Sequence, residues 1–187
     1  MRPADIPNLI TAIRLLLVVP FALLLLDGSY LGALVVFAVA GISDGIDGFL
    51  ARRFDWGSRL GQIMDPLADK ALMLVGFGAL AVVGLLPGWL FWLILARDAG
   101  IVGGGILLRW FLGTDYRPRP RVVGKAHTGM QVVLVLAVIA GERFPGWPEV
   151  VVDWLITAVV LTTLASGVEY ARQAVADWQG RGGNRND

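Results

Sequence analysis

The sequence predicts an all-α integral membrane protein built from six transmembrane helices. Of its 187 residues 56% are hydrophobic and the mean hydropathy is +0.68, too apolar for a soluble domain of this size. The apolar runs have the length that crosses a bilayer core. Lipid admits only helices or closed barrels, and the strict alternation of a membrane strand is absent.

Six spans follow in order, at about 9–26, 31–51, 62–86, 88–111, 126–141 and 150–171. The first is a leucine-rich run behind Arg2 and Arg14. No small-x-small cleavage site follows within it, so it is expected to remain as a helix, with Asp27-Gly28 turning the chain. A polar stretch from Arg52 to Arg59 joins the second and third spans, and its Gly57-Ser58 favours a tight turn. The fourth span holds Arg97-Asp98 well inside it, together with Gly103-Gly104-Gly105, small residues expected to permit close helix packing. A basic segment, Arg109 to Lys125, leads into the fifth, where His127 is expected to be an interfacial polar residue. Trp89, Trp92, Trp147 and Trp154 flank spans on one side and read as an aromatic belt. The tail, Gly180 to Asp187, is polar and glycine-rich and is expected to be disordered. With no repeat and no long linker, residues 1–179 are expected to form one membrane-embedded domain. The absence of Cys excludes disulfides, thiolate zinc sites and a Cys nucleophile.

Basic residues set the orientation. Six spans leave both termini on one side, and Arg2, Arg14, Arg52, Arg53, Arg59, the Arg109–Lys125 segment, Arg172, Arg181 and Arg185 all fall there. The opposite loops carry only Arg143 against Asp27, Glu142 and Glu149. The basic side is therefore expected to be cytoplasmic, an asymmetry hidden by a net charge of +1.

Asp44, Asp47, Asp65 and Asp69 stand inside these apolar segments. An isolated Asp at the centre of a transmembrane helix costs roughly 2.5–3.5 kcal/mol, and four together repel, so something must neutralise them. Asp44 and Asp47 are i, i+3; Asp65 and Asp69 are i, i+4; each pair shares a helix face. Folding the chain about residue 56 sets Asp44 level with Asp69 and Asp47 level with Asp65, roughly 12 Å above the turn. An all-oxygen cage of this kind suits hard divalent cations, and two ions would balance four charges. Two ions about 3.5–4 Å apart can clamp a phosphate and stabilise attacking and leaving oxygens together. Gly48 and Gly61 leave room for a polyphosphate, Arg52 and Arg59 can pair with its oxygens, and Ser58 adds a hydroxyl.

The run from Asp44 to Asp69 resembles the signature of the CDP-alcohol phosphatidyltransferases, D-x2-D-G-x2-A-R-x8-G-x3-D-x3-D. It is complete here as Asp44, Asp47, Gly48, Ala51, Arg52, Gly61, Asp65 and Asp69, with every spacing intact. The resemblance extends to I-P-N-L-I-T-A-I-R, Ile6 to Arg14, and to the helix pattern. It implies that Asp44, Asp47 and Asp65 bind two divalent ions, Mg2+ or Mn2+. Asp69 shares the second ion and is the general base for the acceptor hydroxyl. Gly48, Ala51, Arg52, Ser58 and Gly61 line the cytidine diphosphate pocket, with Asn8 beside them. It further implies CDP-diacylglycerol as donor, CMP as leaving group and a homodimer among membrane lipids. The setting expected is a bacterial inner membrane with the site and both termini cytoplasmic; no nucleic-acid partner is expected.

The acceptor is read from cations outside the signature. Glycerophosphate-using relatives typically show A-R-E with a further Arg eight residues on; this chain has Ala96-Arg97-Asp98, and the later position is Gly105. The A-R-D form, Arg109, and a proline-containing basic stretch before G-K-x-x-T-x-x-Q (Gly124 to Gln131) look more like the cardiolipin synthases of the family. Those transfer the phosphatidyl group to phosphatidylglycerol, and Arg97, Arg109 and Lys125 are then the expected acceptor contacts. Glycerol-3-phosphate, the acceptor of phosphatidylglycerophosphate synthases, is the alternative. Arg97-Asp98 also reads as an ion pair locking two helices, and Arg117–Arg121 as a loop meeting anionic headgroups. A cation-coupled transporter would favour midplane helix breaks and inverted repeats, which the sequence lacks. An intramembrane prenyltransferase would be a longer chain with two distant Asp-rich motifs, and an inactive relative would not keep the signature intact.

Overall fold

Six helices make up the described chain: α1 (Ile6–Leu26), α2 (Tyr30–Phe54), α3 (Arg59–Val82), α4 (Gly88–Leu112), α5 (Val122–Arg143) and α6 (Glu149–Gly182). The structure, a computed structural model, describes residues 6–54, 59–112, 122–144, 146 and 148–182, and no strand occurs among them. The six apolar runs read from the sequence therefore fall in six helices. The ends of α3 and α6 depart from expectation for identifiable reasons. α3 stops at Val82 rather than 86, because Gly84 takes a left-handed backbone (φ 81) and the Leu85 N–H returns to the Leu80 carbonyl at 2.9 Å. That is a Schellman closure, and α1 ends the same way through Gly28 (φ 74) and Ser29 N–H to Leu24 O at 2.8 Å. α6 continues to Gly182, so Gly180–Gly182 are helical and not disordered. The A-R-Q-A-V-A-D-W-Q run before them is rich in good helix formers and carries the helix through; residues 183–187 lie outside the described residues.

By internal contacts the chain divides into two compact units, residues 1–88 with 135–149, and residues 89–134 with 150–187. In the first, α1 packs against both α2 and α3. Val18, Phe21 and Leu25 of α1 are buried with Phe37 and Ala40 of α2 and with Leu72, Phe77 and Leu80 of α3. The Phe21 and Phe37 rings lie 5.3 Å apart. Gly76 of α3 is what admits Phe21, since a Cβ there would stand 3.0 Å from its Cε1. The second unit buries Leu90 and Ile94 of α4, Leu134 of α5 and Val159 of α6, with the polar His127, Thr163 and Ser166.

Two described helices are long and apolar enough to cross a membrane, Asn8–Leu26 and Val150–Gln173, and Tyr30–Ile46 is a shorter apolar one. Only 28% of the first apolar window and 17% of the second is buried. Core helices of a soluble protein would bury most of that surface. Here Leu16, Val19 and Leu23 of α1 and Trp154, Leu161 and Leu164 of α6 point outward, as do Trp89 and Trp92 of α4.

Candidate active site

In the first unit the acids of α2 and α3 meet a cation from α1. Arg14 Nη1 donates to Asp44 Oδ1 at 2.6 Å and to Asp69 Oδ1 at 3.0 Å. One helical turn earlier, the Thr11 hydroxyl donates to Asp65 Oδ1 at 2.5 Å. Thr11 and Arg14 are i, i+3 on α1, and Asp65 and Asp69 are i, i+4 on α3. The pairs match in the same order, so α1 and α3 run parallel with their polar faces opposed. Asp44 of α2 joins Asp69 on one guanidinium nitrogen, the pairing that folding about residue 56 implies. Pro66, inside α3, lacks the N–H that would bond back to the carbonyl of residue 62, so the turn leading into the acids is one hydrogen bond short.

Burial divides this cluster by sign. Arg14 is 1% exposed, while the side chains of Asp44 and Asp69 are 47% and 49% exposed. A buried cation thus floors a site whose anions open outward. The sequence reading counted Arg14 among the orienting basic residues; its position shows a different task, because it is committed to carboxylates of two other helices. Thr11 and Arg14 are the residues that sequence reasoning left out of the site. The available signal was T-x-x-R on one face of an apolar helix, since a cation inside such a run requires an acidic partner.

The other expected residues are placed unevenly. Asn8 stands on α1 one turn before Thr11 and is partly exposed, Gly48 lies on α2 and Gly61 is buried on α3. The side chains of Asp47, Ala51, Arg52, Arg109 and Lys125, and Ser58 with its turn, lie outside the described residues. Among the described residues no group of three or more His, Cys, Asp or Glu side chains is close enough to hold a metal ion, and Asp47, the fourth acid, is not among those side chains. The donors that are described fit a hard divalent cation in kind, being carboxylate oxygens that converge from two helices and remain half open.

The second unit holds the cation of the A-R-D run. Arg97 Nη1 donates to Asp98 Oδ1 at 2.7 Å, Nη2 donates to the Ser166 hydroxyl, and the guanidinium lies 5.6 Å from the centre of the Tyr170 ring. The ion pair is between chain neighbours on α4, so it does not lock two helices; the bond to Ser166 is what joins α4 to α6. His127 is buried, 1% exposed, rather than interfacial. Its Nδ1 lies 3.3 Å from Thr162 Oγ1 and 3.5 Å from Thr163 Oγ1. Both hydroxyls already donate to α6 carbonyls, so it is their lone pairs that remain for the ring nitrogen. Gly103 and Gly104 are not close-packing residues either, because a Cβ on either would meet nothing within 4 Å.

Comparison with known proteins agrees with the signature. The chain matches the family model for CDP-alcohol phosphatidyltransferases over residues 4–165. It is 31% identical over 184 residues to a cardiolipin synthase (CMP-forming) of Rattus norvegicus, covering 90% of this chain and 61% of that one. It is 30% identical over 184 residues to a probable phosphatidylglycerophosphate synthase of Mycobacterium tuberculosis, covering 94% and 84%. A chloroplastic CDP-diacylglycerol–glycerol-3-phosphate 3-phosphatidyltransferase of Oryza sativa subsp. japonica is 32% identical over 192 residues, covering 90% and 56%. The chain spans about three fifths of the length of the rat protein.

Proposed function

Because the chain belongs to the CDP-alcohol phosphatidyltransferase family, we propose that it is a membrane-embedded phospholipid synthase whose donor is CDP-diacylglycerol and whose acceptor is phosphatidylglycerol. The products are cardiolipin and CMP. The observation that carries the reading is the convergence of Asp44, Asp65 and Asp69 of the signature on Thr11 and Arg14 of α1. The acceptor hydroxyl oxygen attacks the phosphorus bearing diacylglycerol, the phosphoanhydride bond to CMP breaks, and the hydroxyl proton passes to Asp69. CMP leaves with the bridging oxygen and its electron pair. Asp44, Asp47, Asp65 and Asp69 would hold two divalent ions, Mg2+ or Mn2+, and these supply charge neutralisation and Lewis acidity toward the phosphates. Arg14 fixes the carboxylates of Asp44 and Asp69 from below, and Thr11 fixes Asp65. A carboxylate beside a cation is a weak base, so Asp69 would receive the proton late in the transfer. Gly48, Ala51, Arg52, Ser58 and Gly61, with Asn8, line the nucleotide pocket.

The membrane setting is part of the proposal. The outward apolar surface of α1 and α6 supports helices that cross the bilayer; the reading extends this to six spans and, from the distribution of basic residues, sets the acid cluster toward the cytoplasm. A homodimer in a bacterial inner membrane is the assembly proposed. The acceptor rests on the A-R-D run and on the relatives named cardiolipin synthase. Glycerol-3-phosphate is the second reading, favoured by the mycobacterial relative, of which 84% is covered. Purified protein given CDP-diacylglycerol with each acceptor in turn decides between them. Cardiolipin is expected with phosphatidylglycerol, and turnover with glycerol-3-phosphate alone would replace the first reading by the second.

A further inference from the structure

Asp44, Asp65 and Asp69 are each held to α1 by a single oxygen. Asp65 Oδ1 accepts the Thr11 hydroxyl at 2.5 Å, and Arg14 Nη1 donates to Asp44 Oδ1 at 2.6 Å and to Asp69 Oδ1 at 3.0 Å. The donors are fixed where the acceptors are open. Thr11 and Arg14 are 0% and 1% exposed on α1, a helix packed against both α2 and α3, and the β-branched Thr11 has few χ1 rotamers in a helix. The side chains of Asp44 and Asp69 are half exposed. A carboxylate held in this way can still offer its other oxygen to an ion. It cannot wrap both oxygens around one ion without giving up its bond to α1, and for Asp44 and Asp69 that would strand a buried cation.

We propose that Thr11 and Arg14 are positioning residues that select the divalent ion: by holding Asp65, Asp44 and Asp69 through one oxygen each, they keep these carboxylates from chelating an ion through both. The inference rests on the metal-dependent reading of the acid cluster and says how that cluster chooses its ion. The basis lies in what the ions require. Ca2+ takes about six to eight oxygens and accepts a carboxylate through both of its own, whereas Mg2+ demands a near-octahedral shell and keeps several waters. Mn2+ suits the same octahedral oxygen shell. Acids confined to one oxygen apiece do not supply the larger shell, so the site favours the smaller ions and rejects Ca2+. Thr11 and Arg14 act through carboxylates rather than on the substrates.

Mn2+ alone is the probe, bound to the full chain in nanodiscs, followed by electron paramagnetic resonance and displaced by Ca2+. Thr11→Val loses the hydroxyl and keeps the branched shape. It should raise the affinity for Ca2+ relative to Mn2+ roughly three- to tenfold, the scale of one hydrogen bond to a charged group. Thr11→Ser, which keeps the hydroxyl, should restore the wild-type ratio, a rescue that a purely structural role of Thr11 would not require. Arg14→Met frees two carboxylates and should move the ratio in the same direction. An unchanged ratio in both Thr11→Val and Arg14→Met overturns the inference, and so does a Thr11→Ser protein that behaves like Thr11→Val. Where a variant does not fold, infrared difference spectra of the wild-type protein with and without Mg2+ decide. A wide splitting between the antisymmetric and symmetric carboxylate stretches supports it, and the narrow splitting of chelating carboxylates overturns it. The two levels separate in the wild type and the acid variants. If Mn2+ does not bind, or binds equally well to Asp44→Asn with Asp65→Asn, the metal-dependent reading of the site falls. If Mn2+ binds through the acids with a selectivity that the α1 variants leave untouched, only the role of Thr11 and Arg14 falls.

Discussion

Two arginines in apolar helices are held in opposite ways. Arg14 reaches Asp44 and Asp69, 30 and 55 residues away in the chain, and nothing in its own helix neutralises it. Arg97 takes the next residue, Asp98, as its counter-ion and meets neutral groups of α6, the Ser166 hydroxyl and the Tyr170 ring. The first ion pair exists only when three helices have packed, so it ties the acid cluster to the fold. The second is made between chain neighbours on one helix and needs no packing of helices to form. A cation balanced from afar builds a charged site, and a cation balanced locally is available for recognition.

The largest effects should come from the first region. Asp44→Asn or Asp65→Asn is expected to lower kcat/KM by about a hundred- to a thousandfold, the scale of removing a group that stabilises developing charge. Chelation should abolish CMP release, and Mg2+ or Mn2+ should restore it. Asp69→Asn is expected to stop turnover while donor binding persists. Full activity in excess chelator would reduce the acids to partners of Arg14 and dissolve the contrast between the two regions.

Stability tests the same cluster from the other side. Asp44→Asn with Asp69→Asn strands a buried cation, a loss of about 3–5 kcal/mol for a broken buried pair. Arg14→Met instead leaves carboxylates that are 47% and 49% exposed, and water can solvate these, so it should cost less. Thermal unfolding in detergent micelles reads the order, and the reverse order would mean that Arg14 is not the buried member on which the site is built.

The second region should respond more weakly and only toward one substrate. Arg97→Ala is expected to raise the acceptor KM with little change in the donor KM. The loss should be about 1.5–3 kcal/mol, the worth of a hydrogen bond to a charged group, or roughly ten- to hundredfold in kcat/KM. Arg109→Ala and Lys125→Ala belong in the same titration. Wild-type acceptor KM in all three would leave Arg97 with its bond to Ser166 as its whole role.

How legible these regions were in the sequence follows from the range of the interactions. The six helices came from the length of the apolar runs, and the Asp44–Asp69 pairing from helical spacing and a short hairpin, all of which are local. Arg14 was visible only as a charge, because its partners are 30 and 55 residues distant and a basic residue near an N-terminus also fits an orienting role. His127 was misread for a similar reason: its partners, Thr162 and Thr163, lie on another helix. The Gly103–Gly105 run misled in the other direction. Small residues allow close approach, but only the neighbouring helix determines whether anything approaches.

That last point gives the smallest and cleanest comparison, between glycines of the two regions. Ala in place of Gly inside a helix contributes roughly 0.5–1 kcal/mol of stability by itself. At Gly103 a Cβ meets nothing within 4 Å, so Gly103→Ala should keep that gain. At Gly76 the Cβ would lie 3.0 Å from Phe21 Cε1, and Phe21 is fully buried against Phe37, so the ring has little room to yield. Overpacking costs about 1–3 kcal/mol, and Gly76→Ala should therefore lose up to about 2 kcal/mol net. Thermal unfolding of the two variants should move in opposite directions. A loss at both positions would mean that the glycine face of α4 is packed after all, and a second copy of the chain would be the first candidate to cover it.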